Sequence, residues 1–284
     1  MQFTKLGAVD HQIGLISTFI RERKARAPEF FKPFYMASLS CAVRRAAFRQ
    51  MTFTGQAADY ATRMEVWEAA GFQPPRDVPK RPPIRFQPCT ALTDAAEMDR
   101  SVKAITSIFD TTRSGDSDDL YVIFHELIEN CFRHSAVTDG HFGVTCAQCW
   151  PAGNLGQIAI VDSGIGVRES LGENEDLRER LQEVNASEFA LEKGISGKFG
   201  RRHSGLGLAL AAGVSRHHAA NLIVVSGAEA VRVAGQRKAS HGLDNPWEGT
   251  MVIFEWRLNR IIDTGPVYDE WTAGEENNDE EFMF

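Results

Sequence analysis

Asp162 closes the apolar run Ile158-Ala159-Ile160-Val161 and is followed by two glycines, Gly164 and Gly166. A carboxylate at the end of a buried strand is costly unless donors meet it. Glycines beside it let the backbone turn sharply and approach a ligand. The pattern suits an acid held rigidly to read a polar ring edge, and it equally suits an ordinary strand-to-turn transition. A second set, Glu126, Asn130 and Arg133, recurs at i, i+4 and i+7, so on a helix these side chains share one side. An acid, an amide and a cation along the margin of a buried face can line a cleft; they can also be surface decoration. A third set runs Gly194-Ile195-Ser196-Gly197-Lys198 and then Ser204-Gly205-Leu206-Gly207-Leu208. Glycines and cations ahead of a helix start offer backbone amides and a positive dipole end, which bind phosphate.

The elements that must position these sets follow from periodicity. Residues 1 to about 70 read as helical: Ile13 to Ile20 forms an amphipathic stretch, a second helix runs from Tyr35 to about Gln50, and Tyr60, Met64 and Trp67 mark a third that Gly71 caps. Prolines crowd the segment from Pro74 to Pro88, as in a linker or extended crossing. Met98 to Thr112 reads as a helix, Ser114 to Asp118 as a loop with an N-cap, and Asp118 to Ser135 as the helix bearing the second set. On that helix Leu120, Ile123, Phe124, Leu127 and Cys131 cluster on the core side. Phe142 to Trp150 and Gly156 to Asp162 read as a hairpin around Pro151-Ala152-Gly153-Asn154. The charged segment Arg168 to Lys193 has little sustained apolar face and reads as a lid or disordered insert. Strands at Asn221 to Ser226, Ala230 to Ala234 and Met251 to Trp256 complete a sheet, with an exposed loop containing Gly235-Gln236-Arg237-Lys238.

Composition narrows the class. The chain of 284 residues can hold one large domain and a smaller one. No apolar run spans a bilayer, and the opening Met1-Gln2-Phe3-Thr4-Lys5 lacks the plan of a signal peptide. Five irregularly spaced cysteines make no disulfide framework and point to a reducing cytoplasm. Cys146 and Cys149 form a lone Cys-x-x-Cys inside a strand, too few ligands for structural zinc. A formal charge of −7 gives no support to nucleic-acid binding. The acidic excess lies after Arg260, where Asp263, Asp269, Glu270, Glu275, Glu276, Asp279, Glu280 and Glu281 suggest a solvated tail. His11 lacks the flanking pattern of a phosphoacceptor and reads as a surface residue at a helix start.

Two familiar nucleotide motifs fail. A Walker loop would need Gly and Ser or Thr where Glu192 and Phe199 stand, and a dinucleotide fingerprint would need glycine at Glu169. The ordered set Glu126-x-x-x-Asn130, Asp162-x-Gly164-x-Gly166, Ser204-Gly205-Leu206-Gly207-Leu208 and Gly249-Thr250 instead resembles the GHKL ATPase superfamily of gyrase, heat-shock chaperones, histidine kinases and MutL. In plan it is most similar to the anti-sigma-factor serine kinases. The resemblance covers roughly residues 90 to 260. It implies an α+β, Bergerat-type sandwich, a mixed and mostly antiparallel sheet covered by helices on one face, preceded by a smaller mainly helical unit. The corresponding expectation is a unit at 1–88, an ATP-binding domain at 89–262 with a lid at about 167–204, and a disordered acidic tail at 263–284.

By that resemblance Asp162 accepts from the adenine amino group and Thr250 assists through a shared water. Asn130 holds Mg²⁺, Arg133 contacts phosphate, and Gly205 and Gly207 bring amides to the phosphates, with Ser204 as a cap. Glu126 occupies the place of a general base, whereas many histidine kinases have Asn there. His203 replaces the usual first glycine of the loop; Lys198, Arg201 and Arg202 could compensate at the γ-phosphate. No histidine-bearing dimerisation helix and no transducer domain is recognisable. The functional expectation is a regulatory ATPase whose lid controls a protein partner, in a homodimer or alone. The alternatives are a serine/threonine kinase of the anti-sigma type and an ATP sensor that does not hydrolyse.

Overall fold

A computed structural model of the chain describes residues 1–47, 52–55, 57–82, 84–110, 117–198, 205–218 and 220–281. In chain order the main elements are α1 (Leu6–Glu22), β1 (Lys24–Arg26), α2 (Pro33–Ala46), β2 (Thr52–Thr54), α3 (Ala58–Arg63), α4 (Val66–Ala69) and β3 (Phe86–Leu92). Next come α5 (Ala95–Asp110), α6 (Ser117–His134), β4 (Gly143–Trp150), β5 (Leu155–Val161), α7 (Gly166–Gly172), α8 (Arg178–Leu181) and α9 (Ala186–Phe189). The chain ends with α10 (Gly207–His217), β6 (Asn221–Ala234), β7 (Arg237–Trp256) and α11 (Gly265–Glu281). No helix among the described residues is long and apolar enough to cross a membrane.

Five strands pair antiparallel in the order β3-β4-β5-β7-β6. Because side chains alternate along a strand, each central strand serves two cores. Ile158 and Ile160 of β5, Leu222 and Val224 of β6, and Val252, Phe254 and Trp256 of β7 face α5, α6 and α10. Ala159, Val161, Ile223, Val225, Met251 and Ile253 face the N-terminal helices. The parity continues past the strand ends. Asp162 falls on the α6 side, with Ile158 and Ile160, and the register Val161↔Met251 places Thr250 next to it.

α1 buries Leu6, Val9, Ile13, Ile16 and Phe19, the i, i+3, i+4 spacing of one apolar stripe. It packs on β7, while α2, buried along nearly its whole length, packs on β4 and β5. The sheet is thus covered on both sides: by α5, α6 and α10 on one and by α1 and α2 on the other. A polar knot fastens the second layer. Glu255 is wholly buried and accepts from the Thr4 amide (2.6 Å), the Thr4 hydroxyl (2.7 Å), Gln157 Nε2 (2.6 Å), Asn221 Nδ2 (2.8 Å) and Lys32 Nζ (3.1 Å). Gln157, Asn221 and Glu255 all sit at the odd, N-terminal-facing parity.

Several expectations need correction. The third N-terminal helix is two short ones, because Glu65 adopts a left-handed φ of 57° between α3 and α4; Gly71 ends the second with a φ of 84°. β6 and β7 form one long hairpin turning at Gly235-Gln236, so Arg237 and Lys238 begin a strand rather than extend a loop. The charged segment after Gly166 is folded: Leu171, Leu181, Ala186, Phe189, Ala190 and Leu191 are buried in the main core. Arg168 organises it, binding both Glu229 oxygens (2.9 and 2.5 Å) and the carbonyls of Leu181 and Val184. The acidic tail begins as α11, whose Val267 is buried against Gly213 of α10. The expected loop at Ser114–Gly115–Asp116 and the terminal Phe282-Met283-Phe284 lie outside the described residues.

Candidate functional site

Between α6, the end of β5, α7 and the start of α10 lies a cleft of about 870 Å³, its open mouth included. Asp162 stands at its base, 5% exposed. Its Oδ1 accepts from the amides of Gly164 (2.8 Å) and Thr250 (3.1 Å), and the Thr250 side chain also reaches the carboxylate. Burial pushes this carboxyl up to about 6, against the pull of those three donors. Gly164 is needed for packing: a Cβ there would lie 2.2 Å from the Ser135 carbonyl. Gly249 is needed for backbone, with a φ of +104° and its missing Cβ 2.3 Å from the Asp162 carbonyl. Leu127, Cys131, Ile160 and Val252 give the base apolar walls.

The other end is polar. Glu126, Asn130 and Arg133 line the cleft together, as their shared side of α6 predicts. Opposite them, Gly205, Leu206, Gly207 and Leu208 carry the opening amides of α10. A Cβ on Gly207 would sit 3.0 Å from Glu126 Oε2, so the carboxylate lies directly against that helix start. Burial, then the charge of Glu129, raises the Glu126 pKa, and His125 and Arg133 oppose the rise. Arg133 is held by Glu129 at 2.5 Å. A lone amide oxygen on Asn130 with carboxylates nearby is the hard-donor chemistry that magnesium accepts.

The structure brings most of the expected residues to one place. Asn130, Arg133, Asp162, Gly166, Gly205, Leu206, Gly207, Leu208 and Thr250 all line the cleft with Glu126. Gly164 supports Asp162 from behind its own loop. Lys198 is not on the lining; its ammonium donates to the Arg133 carbonyl at the end of α6. Ser204, with Arg201, Arg202 and His203, lies outside the described residues.

Other lining residues carried no signal in the pattern. Ser170, Leu171 and Ala190 come from the charged segment and reach the cleft because that segment folds back over it, whereas Ile195 and Gly197 belong to the glycine-and-cation set already singled out. Ser170 Oγ is 3.0 Å from His134 Nδ1, and a Cβ on Gly197 would collide with the Ser170 carbonyl at 1.8 Å. His134 lines the cleft as well as making this hydrogen bond at the helix end. Its spacing from Arg133 could not have separated that role from phosphate contact.

A family model described as histidine kinase-, DNA gyrase B-, and HSP90-like ATPase matches residues 115–260, just over half of the chain. No curated protein and no solved structure matches the chain. The matched span runs from the start of α6 to just past β7 and so contains Glu126, Asn130, Asp162, Gly207 and Thr250. The buried acid, the amide-bearing helix and the glycine-led helix start thus belong to one ATP-binding domain, and the chain is a member of the histidine kinase-, DNA gyrase B- and HSP90-like (GHKL) ATPase family.

Proposed function

We propose that this chain is a regulatory ATPase that binds ATP with Mg²⁺, hydrolyses it with Glu126 as general base, and uses closure of the 167–204 segment to control a protein partner. The observation that carries this reading is a single cleft with a buried acid at one end and Glu126, Asn130 and the amides of α10 at the other. The adenine amino group donates to Asp162, and Thr250 supports the ring edge through a water. A buried acceptor of this kind discriminates against bases that lack the matching donor. The triphosphate lies toward Gly205 and Gly207, where the opening amides of α10 and the helix dipole favour negative charge.

Asn130 offers its carbonyl oxygen to magnesium, which when bound neutralises phosphate charge. Glu126 takes a proton from a water; the water oxygen bonds to the γ-phosphorus, and the bond to the β–γ bridging oxygen breaks with its electrons leaving on ADP. The raised pKa of Glu126 brings the base nearer the working pH, where proton transfer is most effective. Ile195 and Gly197, which line the cleft, are the part of the segment proposed to move outward when nucleotide enters.

A second reading has one observation in its favour. Val122 and Tyr268 are exposed, 38% and 43%, on the Glu126 side of α6, and Tyr268 is close enough to be influenced by the Glu126 charge. A partner docked there could present a serine or threonine hydroxyl to the same base. Incubation with γ-labelled ATP and Mg²⁺ tests both. Bound ATP and released phosphate are expected, with Glu126→Gln abolishing release and sparing binding. Label on a partner protein selects the kinase, unaltered ATP with normal affinity selects a sensor, and no binding at all overturns the reading.

A further inference from the structure

On α6, His125, Glu126 and Glu129 occupy one turn at i, i+1 and i+4, and one ligand atom from each lies within 4.8 Å of the other two. All three are half-buried at the edge of the cleft. We propose that this turn is a binding site for a transition-metal divalent cation of the zinc class, separate from the magnesium ligand Asn130. An imidazole with two carboxylates is a donor set that zinc, nickel or copper accepts, whereas magnesium prefers oxygen alone. Zinc–ligand bonds of about 2.0–2.2 Å put tetrahedral ligand atoms about 3.4 Å apart, so side-chain rotations on one turn suffice to close the site. Three protein ligands leave a fourth position open.

Two neighbours fit the assignment. Arg133 clamps one oxygen of Glu129 at 2.5 Å; an outer partner of this kind orients a metal-binding carboxylate. Tyr121 stacks on the His125 ring at 6.0 Å and steadies it. The consequence for turnover rests on Glu126 being the base: a bound zinc-class ion engages its carboxylate and stops hydrolysis without displacing nucleotide.

The test is calorimetric titration of the full chain with Zn²⁺ alone, in buffer containing Mg²⁺ and no nucleotide. One equivalent is expected to bind, with affinity reduced tenfold or more in His125→Ala and in His125→Gln, which keeps more of the side-chain volume. Both variants should bind ATP within twofold of the unaltered chain in zinc-free buffer containing Mg²⁺. Zinc should also inhibit ATP turnover in the unaltered chain and fail to do so in the His125 variants. Absence of zinc binding, or binding and inhibition unchanged in both variants, overturns the proposal. Failure of ATP binding with Mg²⁺ present and zinc absent would instead strike the nucleotide reading, and the zinc titration would still stand by itself.

Discussion

Burial holds the Asp162 carboxyl near 6 although three donors favour its charged form, so the nucleotide pocket carries a built-in sensitivity to acid. The sign follows from linkage. Between the unfolded value near 4 and the folded value of about 6, the native chain binds the extra proton, so rising pH through that window costs stability. The ligand works the other way, because an amino donor needs the ionised acceptor. ATP affinity is therefore expected to fall about tenfold from pH 7.5 to pH 5, as the ionised fraction falls. Equilibrium binding across that range checks it. Asp162→Asn should weaken binding by about 1–3 kcal/mol, since it leaves the Gly164 and Thr250 amides or the base without a full partner. It should also flatten the pH dependence; a profile unchanged in the variant would assign the titration to another group.

Among elements, the segment from α7 to Lys198 lines one side of the cleft and carries the proposed lid. It is stitched to the β6–β7 hairpin through Arg168 and Glu229, through the Ala186 amide on Glu229, and through Glu188 with Lys238. Its distal end instead meets the cleft, with Gly197 pressed on the Ser170 carbonyl. The pivot of the proposed lid is therefore placed near Ile195 to Lys198, with the rest of the segment docked on the β6–β7 hairpin. Gly197→Ala must displace that contact and is expected to cost about 1–3 kcal/mol as an overpacked site. It should also speed nucleotide release in stopped-flow displacement. Gly172→Ala, with nothing within 4 Å of the added carbon, is the matched control and should change neither. Equal behaviour of the two variants would remove the hinge from this position.

For the molecule as a whole, the unexpected feature is that residues 1–70 and the ATP-binding half share the sheet. Trp247 Nε1 donates to the Asp162 carbonyl at 3.1 Å and Arg45 lies over the Trp247 ring at 5.9 Å, so the back layer touches the loop that aims the acid. Glu255 is the anchor of that layer. Glu255→Ala would leave buried amides and Lys32 without their common acceptor, a loss of about 3–5 kcal/mol. Chemical denaturation should record it, and limited proteolysis should cut first within residues 1–47. ATP affinity should change little, because Glu255 is five residues beyond Thr250, about 16 Å along the strand. An unchanged denaturation midpoint would mean that the knot contributes nothing net.

Local pattern by itself determined the strand that ends in Asp162, the helix carrying Glu126, Asn130 and Arg133, and the glycine-led start of α10, because periodicity, caps and backbone freedom act over a few neighbouring residues. The family resemblance rested on those same short motifs. Local pattern could not foresee that Glu65 breaks a helix, that the charged segment folds, or that Ser170 joins the cleft. Each depends on groups remote in the chain: Arg168 needs Glu229, Glu255 needs Thr4 and Lys32, and Lys198 is drawn to a carbonyl on α6. Burial and long-range hydrogen bonding, which only the tertiary structure assembles, decided those positions.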